Sequence, residues 1–175
     1  MALNLLKKYS NLLELAHLEE KKRNASLYGI FARDIENNNN FLFKKKQIWP
    51  MKIDGQPTMQ TLFNHLIKKD DKDDKGQKLG SRSYDVHRSQ RLHWLLHHVY
   101  EGKCETLDIF SYEDRINSKS IIRTYIYNKT DEYVVIMEPQ RTKTDYTLIT
   151  AYHLNEPGGK KQIENKLKKK LNEVY

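Results

Sequence analysis

Four short runs in the second half of the chain, CETLDIFSY, SIIRTYIYN, EYVVIMEP and DYTLITAYHL, constrain the fold more than anything else in the sequence. Each is rich in β-branched and aromatic residues, and the polar connectors EDRINS, NKTD and QRTKT separate them. Such runs fit the half-buried, pleated surface of a sheet. The short connectors predict antiparallel neighbours, and NKTD is compact enough to make a hairpin of the second and third strands.

Upstream the pattern changes to helical spacing. Leu3, Leu5, Leu6, Leu12, Leu13, Leu15 and Leu18 predict an amphipathic helix over residues 3 to 23, ending in the charged LEEKKR. RDIENNNN has little to bury and reads as a loop. FLFKKKQIWPMKIDGQP reads as extended chain, because Pro50 opposes a helix and DGQP marks a turn. Thr58 is placed to cap a helix with Met59, Leu62, Phe63 and Leu66 on one face. DDKDDKGQKLGS alternates charge without apolar content, which predicts a solvated, mobile linker. YDVHRSQRLHWLLHH then predicts a helix of about five turns closed by Gly102. After NEPGG, Ile163, Leu167, Leu171 and Val174 make the apolar stripe of a last helix. Its other face carries Lys160, Lys161, Lys166, Lys168, Lys169 and Lys170.

Helices first and strands later define an α+β class: N-terminal helices and a central helix packed on a four-stranded antiparallel sheet, with a basic C-terminal helix. The charged linker divides the chain into residues 1–80, of unassigned role, and residues 81–175, which carry the candidate site. With 31 basic and 23 acidic residues among 175, the net charge is +8, which favours a polyanionic partner on which the tyrosines could stack. Cys104 is the sole cysteine, so no disulfide forms within the chain and a reducing cytoplasm is the expected compartment. Lysines within the first turns break the apolar stretch that a signal peptide or a spanning helix needs, so no membrane partner is expected.

The segment from Tyr84 to His98 holds four histidines and two arginines. His93 and His97 have the i, i+4 spacing of the zinc-protease signature, but Trp94 stands where that signature places its glutamate base. No CxxC or HxH cluster supplies further ligands, so neither a metal nor another cofactor is expected. Leu92, Leu95, Leu96 and Val99 make a core stripe, with His87, Arg91, Trp94 and His98 along a neighbouring line. Arginine forks a phosphate and histidine moves protons near neutral pH. Cleavage of RNA without a metal asks for that combination: a base for the 2′-OH, cations for the phosphorane, and an acid for the 5′-oxygen. Thr150 and Tyr152 are two apart and share a strand face, as do Arg123, Tyr125 and Tyr127, whereas His153 points the other way from Tyr152.

The order YDVHRSQRLHWLLHHV, RTYIYNKTDEYVVIME and DYTLITAYHL resembles the barnase–EndoU–colicin–RelE-like (BECR) ribonuclease superfamily, in particular phage BECR nucleases. That group shows an [F/Y]-D-x-x-R-x-x-R-[I/L]-x-W helix, matched by Tyr84, Asp85, Arg88, Arg91, Leu92 and Trp94. It also shows an L-L-T-A-Y-like strand, matched by Leu148, Ile149, Thr150, Ala151 and Tyr152. The resemblance covers roughly residues 82 to 155. It implies helices on a four-stranded antiparallel sheet, with RNA in the groove cut to a 2′,3′-cyclic phosphate without metal. On that reading Arg88 and Arg91 hold the phosphate, Thr150 and Tyr152 orient phosphate and nucleobase, and His87 or His93 is base or acid. The part given to His93 is a chemical inference. Trp94, Arg123 and Tyr125 would support substrate, Lys160 and Lys161 would steer RNA by charge, and an inhibitory protein would restrain a toxin-type effector. The rival expectation is a non-catalytic nucleic-acid-binding or phage accessory domain on a degenerate nuclease fold.

Overall fold

The β-branched runs do form strands, and their alternation decides which layer each residue enters. The structure, a computed structural model, describes residues 2–51, 58–100, 106–141 and 144–175. Strands β5 (Leu107–Ile116), β6 (Lys119–Asn128), β7 (Tyr133–Pro139) and β8 (Tyr146–His153) pair antiparallel in sequence order. The β6–β7 hairpin turns through NKTD, as its length predicts. β7 is buried along Tyr133–Met137, as a strand covered on both faces must be. On one face Ile126, Val135, Met137 and Leu148 pack with Leu27, Ile30 and Phe31 of α2 (Glu20–Phe31) and Leu62 and Leu66 of α3 (Thr58–Ile67). On the other, Phe110, Tyr125, Tyr127 and Ile136 pack with Leu154 and with Ile163 of α6 (Gly159–Lys168). The class is α+β.

The sheet has six strands, a correction to the expected four. β1 (Leu42–Phe43) and β2 (Lys46–Pro50) join it, giving the order β1-β2-β8-β7-β6-β5. β2 runs parallel to β8 through Ile48↔Tyr146, Trp49↔Thr147 and Pro50↔Leu148. A parallel partner so distant in sequence leaves no local turn signal to read. Pro50 stands at the last paired position, where its missing N–H suits the end of a ladder. Among the described residues no strand continues along that side of β8 beyond Leu148; α3 and α4 (Val86–Ser89) lie against β8 instead.

Four other expectations need correction. The leucine-spaced segment 3 to 23 is not one helix: α1 (Ala2–Leu5) ends early and α2 begins at Glu20. Asn4 folds the chain back, accepting a hydrogen bond from the Glu14 amide at 2.9 Å and donating to its carbonyl at 3.0 Å. The RDIENNNN segment begins as a π-helical turn, Ala32–Glu36, that prolongs α2 before the asparagines leave it. The charged linker is a hairpin of β3 (Lys68–Lys72) and β4 (Lys78–Tyr84), because its opposite charges face each other across the strands. Asp70 pairs with Arg82 at 2.6 Å and Lys78 at 2.5 Å, and Asp73 Oδ1 accepts from the amides of Lys75 and Gln77 to close the turn.

The predicted five-turn helix is also broken, into α4 and α5 (Trp94–Tyr100). The Gln90 carbonyl accepts from the Leu13 amide at 3.0 Å, and the amides of Arg91, Leu92, Trp94 and Leu95 make i to i−3 bonds. A tertiary partner has taken a carbonyl that a continuous helix would use. Gly102, Cys104 and the DGQP turn lie outside the described residues. In the last helix Ile163 and Leu167 do face the second core, while Leu171 and Val174 follow the helix end.

Leu27 is fully buried in the same cluster as Val135 and Met137. Leu27→Ala is therefore expected to destabilise the whole chain by about 3 kcal/mol, in one urea transition seen alike by far-UV dichroism and tryptophan fluorescence. A two-step transition in which the sheet keeps its wild-type midpoint would show that residues 1–80 fold apart from it.

Candidate functional site

The open side of β8 creates a groove. It encloses about 590 Å³ between the β3–β4 hairpin, α4, the end of β8 and the start of α6. Lys69, Lys72 and Lys78 face Asp85, Arg88, Tyr152, His153 and Glu156 across it. Because this stretch is an edge, side chains from both faces of β8 reach the groove: Tyr152 from one and His153 from the other.

Arg88 is its centre. The buried Asp85 caps α4, its Oδ1 accepting from the Arg88 amide at 3.0 Å, and this sets the direction in which Arg88 leaves the helix. Arg88 Nη1 donates to the carbonyls of His65 and Lys68 at 3.2 and 3.3 Å and to Thr150 Oγ1 at 3.4 Å. The guanidinium also lies 4.9 Å from the centre of the Tyr152 ring. The structure thus joins Arg88, Thr150 and Tyr152. Burial raises the Tyr152 phenol pKa, Asp114 adds to it, and the Arg88 cation opposes the shift.

His87 is exposed at the rim, its ring 6.2 Å from that of His153 and within 19° of parallel. Burial lowers the His153 pKa, the Arg91 charge and then His87 push it the same way, and Glu132 and Asp131 oppose them. His153 Nδ1 is buried without a hydrogen-bond partner. Arg91 is half-buried with its guanidinium 5.1 Å over the Trp94 ring, and its Nη1 donates to the His87 carbonyl at 3.1 Å. His65 Nδ1 lies 3.5 Å from Arg82 Nη1, and burial followed by the Arg82 charge lowers its pKa.

Other expected site residues lie elsewhere. His93 is buried and donates from Nε2 to the Lys8 carbonyl at 3.4 Å. Trp94 is also buried, with Nε1 donating to the Asn11 carbonyl, so its ring offers no face to a substrate. Tyr125 is fully buried, its hydroxyl committed to Asp114 and to Lys166, which donates at 2.8 Å. Arg123 is half-buried on the same strand face, and its charge bears on both Tyr125 and Tyr152. Lys160 pairs with Glu132 at 2.9 Å, and Lys161 is exposed on α6.

His153, His65 and Arg82 are the additions that sequence reasoning missed. Period-two alternation set His153 apart from Tyr152, and only the early end of β2 makes both faces converge. The ion pair of Lys69 with Glu156, 3.0 Å and largely exposed, ties the hairpin to the segment after β8. Among the described residues no cluster of three His, Cys, Asp or Glu side chains could hold a metal ion, and no helix is long and apolar enough to cross a membrane. Compared with protein-family models, curated proteins and solved structures, the chain matches none.

Proposed function

We propose that the groove cleaves RNA without a metal, by attack of a ribose 2′-OH on the adjacent phosphate. The observation that carries this reading is the Arg88 contact with Thr150 and Tyr152, which unites the arginine-bearing helix and the TAY strand at one point. Arg88 offers its charge to the non-bridging oxygens, where negative charge grows in the phosphorane. Arg91 is the second cation of this end, and the Thr150 hydroxyl and Tyr152 ring orient phosphate and base. His153, held neutral by its surroundings, takes the 2′-OH proton as the 2′-oxygen bonds to phosphorus. The bond to the 5′-oxygen breaks and His87 gives that oxygen a proton, leaving a 2′,3′-cyclic phosphate and a 5′-OH. His153 replaces His93 here because His93 lies under the N-terminal segment. A phage-related or toxin-type effector restrained by an inhibitory protein and acting in the cytoplasm suits this chemistry.

Purified protein incubated with total RNA and tRNA in EDTA is expected to produce fragments ending in cyclic phosphate. Intact RNA, or cleavage that needs added metal, overturns the mechanism. One observation favours a second reading: Arg88 Nη1 already serves two backbone carbonyls, and its side chain is only 17% exposed. An arginine so engaged can be a fastener, leaving a nucleic-acid-binding domain without catalysis. Salt-sensitive RNA binding with no product under any condition would establish that reading.

A further inference from the structure

A second cavity lies in the crease between α2 and α3. It encloses about 510 Å³, a size that suits a small-molecule site. Two side-chain pairs at i, i+4 spacing line it, Asn24 and Tyr28 from α2 and Gln60 and Asn64 from α3. Phe63 and Ile67, 5% and 1% exposed, give it an apolar floor that belongs to the main core. Lys68, the first residue of β3, completes the lining with a cation.

The chemistry of this lining differs from that of the rest of the surface. In a chain that is 31% charged, the cavity holds three carboxamides, one ammonium group and no carboxylate. Among the described residues no partner engages the side chains of Asn24, Gln60, Asn64 or Lys68. Each carboxamide therefore keeps both donors and an acceptor for a ligand, the mixture that the edge of a nucleobase asks for. The wall is set in advance. The Tyr28 hydroxyl donates to both Glu36 carboxylate oxygens at 3.0 and 2.9 Å, and its ring meets Phe63 at 5.2 Å and 82°. Tethered at both ends, the ring stays 36% exposed and can cover one side of a planar ligand.

We propose that this cavity is a nucleotide site. The base lies on Phe63 and Ile67 beside Tyr28, the amides of Asn24, Gln60 and Asn64 bond its edge, and Lys68 meets the phosphate. The cavity shares the end of α3 with the groove: Asn64 and Lys68 line it, while the carbonyls of His65 and Lys68 accept from Arg88 Nη1 at 3.2 and 3.3 Å. Lys68 thus serves the cavity with its ammonium group and the groove with its carbonyl. That the nucleotide is part of the RNA being cut rests on the nuclease reading; recognition of the base does not.

Nuclear magnetic resonance on the full chain tests the site directly, through the side-chain amide signals of Asn24, Gln60 and Asn64. The probes are AMP, UMP, ribose 5-phosphate and a 2′-O-methyl oligonucleotide, which has no free 2′-OH and cannot be cut. Saturable shifts of the three signals with a mononucleotide show that a free nucleotide suffices. Shifts with the oligonucleotide alone show a site for a base within a strand. Gln60→Ala and Asn64→Ala should each weaken that binding about tenfold. Neither side chain has a protein partner, so both variants should keep the fold, and the wild-type titration decides if one does not. Silence of all three signals with every nucleotide probe, shifts confined to the groove, or equal shifts with ribose 5-phosphate overturn the proposal. Binding here without RNA cleavage keeps the site and removes the nuclease reading; cleavage without binding here does the reverse.

Discussion

Arg88→Ala is expected to lower kcat for RNA cleavage by about 10³-fold and to destabilise the protein by about 3 kcal/mol. Both effects come from one side chain. The guanidinium donates to the carbonyls of His65 and Lys68 where α3 gives way to the hairpin, and its removal takes that donor from His65 and leaves Lys68 with Arg82 Nη2 at 2.9 Å. It is also the groove cation nearest to Thr150 and Tyr152, so its loss removes the charge that meets the phosphorane. Arg88→Lys separates the two roles. Lysine restores positive charge and can serve one carbonyl, but it cannot fork between helix and strand. Part of the stability should return, while kcat stays at least about 10²-fold below wild type. Urea titration and single-turnover cleavage on the same preparations read both quantities. Cleavage by Arg88→Ala within twofold of wild type would reduce Arg88 to a fastener.

His153→Ala should give the opposite signature: a loss of kcat of about 10²- to 10⁴-fold with stability nearly unchanged. Its buried Nδ1 has no hydrogen-bond partner, so nothing is orphaned when the ring goes. The pH profile adds an independent readout. Burial and the Arg91 charge, with His87 behind them, disfavour imidazolium more than Glu132 and Asp131 favour it, so the lowered pKa keeps His153 in its basic form at neutral pH. Activity should hold as pH falls through 6.5 and drop only below it, as His153 takes its proton. A profile of kcat/KM for His153→Ala that keeps the same acid limb would place the base elsewhere, with His65 as the next group to test.

What the sequence revealed, and what it concealed, follows from the range of the interactions involved. The strands from Leu107 to His153 were legible because burial on both faces imposes β-branched runs and the connectors are short. The pairing of β2 with β8 was not, since the matching pattern lies far away and Pro50 argues only against helix. The same distance hid the break between α4 and α5, where Leu13 captures the Gln90 carbonyl. In the hairpin, alternating charge looked like solvation, although Asp70 and Arg82 face each other once the turn at Asp73 closes. At the site, Arg88, Thr150 and Tyr152 were found by motif and strand period and do meet. His93, Trp94 and Tyr125 had the right chemistry for a substrate but are buried among protein groups, which a helical or strand period cannot reveal.

The short parallel joint between β2 and β8 also bears on when the groove exists. Ile48 and Tyr146 are about a hundred positions apart, and contacts of such high order form slowly because a long loop must close first. A chain emerging from the ribosome can build α2 and α3 early, yet Thr150, Tyr152 and His153 join Arg88 only once β8 has been made. On the proposed nuclease reading, a chain still short of β8 has no complete groove with which to attack the message that encodes it.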